Sequence, residues 1–181
     1  MRSFIKLSLI SVITISTCSS CSDNNEAWAK YSSKEGAFSV NMPGNIKRLD
    51  KTLPTPFGKQ VIHYFTWKPS SFSIDKFKLF QVSYTDCPSR AERDTAILRS
   101  ALDSSIGLRK KDFTETEIVS EPIEFNGYPG RSFIYDLNNS ITIVKECIVN
   151  NRVYDLTVIC KKNYATNIEI NNFFNSFQSF K

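Results

Sequence analysis

Short runs of alternating apolar and polar residues recur along most of this chain and constrain its fold more than any other feature. Phe38, Val40 and Met42 alternate with polar residues before Pro43-Gly44, which predicts a half-buried strand ended by a turn. The same pattern predicts further strands at 46–53, 60–67, 77–84, 113–120, 121–125, 131–137, 140–149 and 152–160. Fourteen Phe and seven Tyr suit such a sheet, because flat rings pack well on a pleated surface.

Two pairs of asparagines, Asn138-Asn139 and Asn150-Asn151, frame the strand predicted at 140–149. Asparagine tolerates positive φ, so each pair predicts a tight hairpin. With Asn150-Asn151 as a two-residue turn, Cys147 lies opposite Tyr154 on the next strand. Cys160 then lies near Ile141 and out of reach of Cys147, since bridged Cα atoms lie within about 7 Å.

The middle of the chain changes period. Apolar residues between Ser89 and Arg109 recur at spacings of three to five, and Ser89 with Glu92 resembles a capping box, which predicts a long helix. A shorter helix is predicted at 164–176, with Phe173, Phe174 and Phe177 docked on the sheet. Strands, one long helix, a meander of strands and a terminal helix together predict an α+β fold.

The N-terminus has the layout of a secretory signal peptide. Arg2 and Lys6 precede the apolar run Leu7 to Ile15, which is too short to span a membrane as a helix of about 20 residues. Small residues and two cysteines follow, as in a bacterial lipobox. Cys18 and Cys21 both remain candidates for lipidation; Cys21 is preferred because a polar tether starts directly after it. We expect a signal peptide at 1–20, a tether at 21–27 and a single domain at 28–181.

Charge and cysteine content limit the partners. The formal net charge is +5, and without Arg2 and Lys6 the chain has 21 basic against 18 acidic residues, scattered among one another. Nucleic-acid binders carry a dense basic stripe instead, so nucleic acid is excluded as a partner. Beyond the leader, Cys87, Cys147 and Cys160 permit at most one internal disulfide, and a Cys87–Cys160 bridge stays open.

No catalytic or metal-binding constellation is visible in the sequence. The single histidine, His63, lies on a predicted strand and is expected to bond a neighbour or face solvent. No HExxH, G-x-S-x-G, P-loop or G-x-G-x-x-G motif occurs, so we expect no catalytic residues, no metal ligands and no cofactor. The best candidates for an exposed contact are Trp67 and Phe72, which flank the polar loop at 69–71.

Several short motifs, in order, resemble bacterial lipoprotein members of the PsbP/Mog superfamily (DcrB-like and PsbP-like domains). They span roughly residues 28–180 and read Tyr31, Glu35-Gly36-x-Phe38-Ser39-Val40-x-Met42-Pro43, Gly58, His63-Tyr64, Val82-x-Tyr84-x-Asp86, Gly127-Tyr128-Pro129-Gly130-Arg131, Arg152-Val153-Tyr154-x-Leu156-x-Val158 and Ser176-Phe177. The resemblance implies a curved antiparallel sheet with helices packed on both faces, an α/β/α sandwich. It also implies that Gly127 and Gly130 serve turns.

The resemblance implies non-enzymatic partner or accessory work, with no catalytic residues to carry over. Together with the leader, it predicts a non-catalytic envelope lipoprotein that is lipid-anchored to a bacterial membrane at Cys21 and binds a protein partner. The alternative is a carrier of a small glycan or lipid between sheet and helix, and a hydrolase is the third hypothesis. Fold analogy alone is a thin basis for function.

Overall fold

A computed structural model describes residues 27–55, 58–69, 76–87, 118–137 and 139–180. These residues form ten strands and one α-helix, and all paired strands are antiparallel. The elements are β1 (Trp28–Ser33), β2 (Phe38–Pro43), β3 (Lys47–Thr55), β4 (Gly58–Trp67), β5 (Phe77–Asp86), β6 (Ile118–Phe125), β7 (Tyr128–Leu137), β8 (Ser140–Val149), β9 (Arg152–Lys161), a 3₁₀ turn (Lys162–Tyr164), α1 (Ile168–Asn175) and β10 (Gln178–Ser179).

The strands divide into two sheets. The larger has seven strands in the order β3-β4-β5-β9-β8-β7-β6, and the smaller has three in the order β1-β2-β10. In the larger sheet β5 pairs with β9 rather than with β6, so the strands from β6 to β9 fold back as a meander. We call the face of the large sheet that packs against β2 and α1 the inner face, and the opposite face the outer face.

The core fills the space between the two sheets and α1. Along β2, β4, β5 and β9, apolar side chains point inward at every second position, as a pleated sheet requires. Phe133, Tyr135 and Val144 of β7 and β8 form a separate buried cluster. Burying one such side chain contributes roughly 1.5–3 kcal/mol. The inward set comprises Phe38, Val40 and Met42 from β2, Phe65 and Trp67 from β4, Phe80, Val82 and Tyr84 from β5, and Tyr154, Leu156, Val158 and Cys160 from β9. Phe173, Phe174 and Phe177 close the core from α1 and the residues after it, which confirms their predicted docking.

The predicted α/β/α sandwich is wrong for the described residues. About 70% of them lie in strands, and the two antiparallel sheets face each other instead of carrying helices on both faces. The reason is that the apolar side of β2 itself covers the inner face, and α1 adds a single helix to that layer. The long helix predicted from Ser89 to Arg109 lies outside the described residues.

The asparagine turns and the register are confirmed. Asn139 and Asn150 have φ of 69° and 56°, and Cys147 pairs with Tyr154 while Ile141 pairs with Cys160. The helix predicted at 164–176 is confirmed with shorter bounds, and Asn167 caps it by accepting from the Glu169 N–H.

Gly127 lies in a turn at a φ of 83°, whereas Gly130 lies inside β7. The turn role implied for Gly130 is therefore wrong. Gly130 is needed there for another reason, because the carbonyl oxygen of Glu146 on β8 occupies the space that a Cβ would take. Among the described residues, no helix is both long enough and apolar enough to cross a membrane.

Candidate functional site

The structure separates the residues singled out from the sequence. Cys21 and Phe72 lie outside the described residues. Trp67 lies at the end of β4 on the inner face, only 8% exposed, with its ring centroid 5.8 Å from that of Phe80. An exposed contact through Trp67 is therefore wrong, because the strand alternation turns this ring into the core.

A cluster of aromatic and ionic side chains surrounds Tyr84 at one end of the inner face. His63 on β4 stacks on the Tyr84 ring with 4.5 Å between the ring centroids, and the guanidinium carbon of Arg152 on β9 lies 4.2 Å from the same centroid. Arg152 also forms a bidentate pair with Asp86, at 2.6 and 3.1 Å. The attraction between a cation such as the Arg152 guanidinium and the face of an aromatic ring contributes up to about 2 kcal/mol where water is excluded.

Arg48 extends this cluster into solvent. Its guanidinium bonds both carboxylate oxygens of Glu35 at 2.6 and 3.1 Å and both oxygens of Asp50 at 3.1 and 3.0 Å. Asp50 in turn lies 2.9 Å from His63 Nδ1, which confirms the expectation that this histidine bonds a neighbour. We call Glu35, Arg48, Asp50, His63, Tyr84, Asp86 and Arg152 the Tyr84 cluster.

Electrostatics in the Tyr84 cluster favour its charged pairs. Hydrogen bonding to Arg48 holds the pKa of Glu35 and of Asp50 below the ordinary carboxyl values. Hydrogen bonding to Asp86 raises the pKa of Arg152. Burial raises the pKa of the Tyr84 phenol, and the charge of Glu35 adds to that shift. Glu35 and Asp50 are therefore ionised at neutral pH, and Tyr84 is a neutral ring that contacts His63 and the Arg152 guanidinium.

The Tyr84 cluster fixes the turn at 34–37 to the large sheet. Tyr154 donates its hydroxyl to the Gly36 carbonyl at 2.8 Å, and Arg152 donates to the Glu35 carbonyl at 2.9 Å. The motifs around Glu35-Gly36, His63, Tyr84 and Arg152 are scattered along the sequence and meet at this point. Their chemistry is that of a rigid, charged surface in which each ionisable group bonds or stacks on another member.

The outer face carries a second feature, an open depression over β3, β4 and β5 with a volume of about 1030 Å³. Leu49, Tyr64 and Leu79 give it an apolar surface, and we name it the lysine depression for its three lysines. Its lining residues are Asn45, Lys47, Arg48, Leu49, Lys51, Tyr64, Thr66, Lys68, Pro69, Leu79 and Gln81. The sequence signal for it is the repeat of Lys47, Leu49 and Lys51 at every second position.

The three lysines of the depression have no ion-pair partner among the described residues, and none of the lining residues is acidic. Leu49, directly opposite Tyr64 on β4, is 65% exposed. Burial, and then the charge of Asp155 on β9, raise the pKa of Tyr64, so the phenol is neutral. The depression is thus a cationic, partly apolar surface open to solvent.

Neither metal chemistry nor thiol chemistry is indicated elsewhere in the described part of the chain. It holds no group of three or more His, Cys, Asp or Glu side chains placed to bind a metal ion. Cys87, Cys147 and Cys160 are free thiols. Burial raises the pKa of Cys147 to about 12, and burial also raises the pKa of Cys160 and of Cys87, which disfavours the reactive thiolate.

In the part of the chain that the structure describes, two facing antiparallel sheets and one helix define a mostly β domain. The fold is PsbP-like: the solution structure of cyanobacterial PsbP (CyanoP) from Synechocystis sp. PCC 6803 is similar over 88% of this chain and 96% of that one, with a TM-score of 0.57 and 10% identity. This confirms the resemblance predicted from the motifs at the level of the fold.

Other similarities are weaker. A protein from Bacteroides thetaiotaomicron VPI-5482 matches with a TM-score of 0.39 at 12% identity, over 84% of this chain and 48% of that one. A protein of unknown function from Pseudomonas aeruginosa matches with a TM-score of 0.38 at 9% identity, over 80% and 90%. No protein-family model and no curated protein matches the chain.

Proposed function

We propose that this chain is a non-catalytic envelope lipoprotein, anchored to a bacterial membrane through Cys21, that binds a protein partner. The anchor rests on the sequence, where a basic and then apolar leader ends in small residues and cysteine. Several acyl chains at Cys21 would together hold the domain at the membrane without a spanning helix.

The observation that carries the partner-binding role is the lysine depression. Leu49 is 65% exposed between lysines that have no acidic partner among the described residues, so an acidic partner with an apolar residue would pair the lysines and bury Leu49 at the same time. Charge complementarity of this kind raises association rates and selects partners.

The non-catalytic role is supported by the Tyr84 cluster. His63 and the carboxylates around it are the residues from which a general acid or base would be drawn. They bond Arg48, Arg152 and one another, so the cluster functions as a structural surface in this proposal.

A small acidic glycan is the second candidate, placed in the lysine depression rather than between sheet and helix. The space between the sheets is filled by core aromatics, while the depression exceeds the roughly 300 Å³ of a small-molecule site. Its openness favours a protein, because small-ligand sites enclose most of their ligand.

Site-specific photo-crosslinking in cells tests this proposal. A photoreactive residue replacing Leu49 in the full chain should give one discrete protein adduct. The matched control replaces Val119 on β6, an apolar residue 54% exposed at the opposite edge of the same sheet. A protein adduct at Leu49 and none at Val119 supports a partner; adducts of equal yield at both sites, or none at Leu49, contradict it.

A further inference from the structure

Among the described strands, β3 lies at one edge of the large sheet. It is the terminal strand of the seven-stranded sheet, and among the described strands only β4 pairs with it. Every residue from Lys47 to Thr52 is exposed. At every second residue of such a strand the backbone N–H and C=O point away from the sheet, which is a template for an added strand.

The two faces of β3 differ in how their charges are used. Arg48 and Asp50 point to the inner face and are paired with each other in the Tyr84 cluster. Lys47, Leu49 and Lys51 point to the outer face, into the lysine depression. Residues two apart on a strand are separated by about 6.6–6.8 Å, which is also the spacing of side chains on one face of any extended peptide.

We propose that the partner presents an acidic extended segment that adds to β3 as a further strand. Its side chains on the outer face are acidic, apolar and acidic at alternate positions, opposite Lys47, Leu49 and Lys51. Opposite charges at directly facing positions stabilise a strand pair. This inference rests on the proposed function and adds to it the chemistry and conformation of the partner's segment.

The charge pattern selects this occupant over a second copy of the chain. Antiparallel pairing of two β3 strands about Leu49 would place Lys47 of each copy opposite Lys51 of the other, and like charges at facing positions are destabilising. Exposed edge lysines are a recognised means of preventing such self-pairing.

Synthetic peptides test the inference on the full chain purified in detergent. The probe is Thr-Glu-Thr-Val-Thr-Glu-Thr, and its control has the same composition but adjacent glutamates, which then point to opposite faces. The alternating peptide should bind about fivefold more tightly, since one glutamate of the control loses its facing lysine, which costs up to about 1 kcal/mol. Amide exchange of β3 should slow when it binds, because strand addition covers outward-pointing N–H groups.

Charge reversal identifies the site. The double variant Lys47→Glu with Lys51→Glu should bind the alternating peptide about tenfold more weakly than the unchanged chain does. It should instead bind a peptide that has lysine in place of glutamate. Lys30→Glu with Lys34→Glu changes the net charge equally at exposed positions on β1 and the following turn, and should have less than about a twofold effect. Lys47→Gln with Lys51→Gln checks that loss of charge, without reversal, also weakens binding.

Several results would overturn the inference. One is equal affinity for the alternating peptide and its permuted control, and another is an equal loss of affinity in the Lys47/Lys51 and Lys30/Lys34 charge-reversed variants. The others are unchanged amide exchange of β3 in the presence of the peptide, or no peptide binding at all. A discrete crosslinked partner at Leu49 alongside any of these would leave the proposed function standing and remove only the strand-addition mode. Failure of the crosslinking together with a positive peptide result would contradict the proposed protein partner and would leave only the capacity of β3 to accept an acidic strand.

Discussion

The guanidinium carbon of Arg152 lies 4.2 Å from the centre of the Tyr84 ring, while the same guanidinium is held by both oxygens of Asp86. The His63 ring on β4 also stacks on Tyr84, so the Tyr84 ring on β5 contacts side chains from both neighbouring strands, β4 and β9. These contacts explain why Arg152, a half-buried cation, stabilises the inner face. The Asp86 carboxylate pairs with the edge of its guanidinium, and the Tyr84 ring covers the guanidinium plane.

Arg152→Lys should therefore lower the free energy of unfolding by about 1–2 kcal/mol, because lysine loses both the planar stacking and the bidentate pair. Urea denaturation measures the change. Arg48→Lys is the control: its side chain is 43% exposed against 19% for Arg152, so it should cost less. An equal or larger loss at Arg48 would contradict this account of the ring contact.

Gly130→Ala should lower the free energy of unfolding by about 2–3 kcal/mol, because the new Cβ would overlap the Glu146 backbone carbonyl and push β7 away from β8. Gly127→Ala, three residues away in the sequence, is the matched control. Its site is open to solvent and its φ is 83°, so about 1 kcal/mol of backbone strain is expected. Thermal or urea unfolding of both variants should rank Gly130→Ala as the more harmful.

Acid should destabilise the protein partly through Arg48. The pKa values of Glu35 and Asp50 are lowered in the folded state, chiefly by hydrogen bonding to Arg48, so their contribution is present above the unfolded carboxyl pKa. It is lost as the pH falls through the folded values, which places the window below about pH 5. Unfolding free energies measured from pH 7 to pH 3 should fall less steeply in Arg48→Gln.

The control for that series is Lys30→Gln, which removes an exposed positive charge on β1 away from the Tyr84 cluster. Its pH profile should run parallel to that of the wild type. Parallel profiles for Arg48→Gln and the wild type would show that the Glu35 and Asp50 pairs do not contribute to acid sensitivity.

The three thiols of the folded domain should differ in reactivity. With Cys18→Ala and Cys21→Ala in place, a thiol reagent at pH 8 should modify Cys87 first, since it is partly exposed. Cys147 and Cys160 are fully buried with raised pKa values and should react only in denaturant. Peptide mapping locates the label, and rapid native labelling of Cys147 would contradict the packing of β8.

The proposed anchor makes a separate prediction. Cys21→Ala should release the domain from the membrane fraction or leave it as uncleaved precursor, while Cys18→Ala should do neither. Each acyl methylene buried in the bilayer contributes about 0.8 kcal/mol, so several chains hold where a polar tether does not. Detergent partitioning of both variants distinguishes them. Release of the domain by Cys18→Ala alone would indicate that Cys18 is the lipidated residue. Retention of both variants in the membrane fraction would contradict the lipoprotein hypothesis.

Local patterns predicted most of the strands, because apolar and polar residues alternate with a period of two along a half-buried strand. The bounds of β2, the hairpin at Asn150-Asn151 and the pairing of Cys147 with Tyr154 all followed from alternation and turn chemistry. The docking phenylalanines after α1 were also visible as a cluster. These features depend on neighbours that are close along the chain.

Alternation could not show which face of a strand meets which layer. Trp67 was assigned to an exposed loop edge because Pro69 follows it, yet it packs on Phe80 in the core. The layer covering the sheet was predicted as helical, whereas β2 covers it, because cover is supplied by segments distant in sequence. The family motifs predicted the PsbP-like fold without indicating that their residues converge on Tyr84.

The sequence by itself indicated most of the strands and the pairing across the Asn150-Asn151 hairpin, since these depend on short-range sterics and patterning. It did not indicate β1 or β10, and β6 runs through the boundary predicted between residues 120 and 121. Only the tertiary structure decided that Glu35, Arg48 and Asp86 join one cluster, and that Lys47 and Lys68 border the same depression. The physical reason is that strand order in a sheet is set by burial of the whole apolar surface at once. That long-range balance places side chains together, and no local period encodes it.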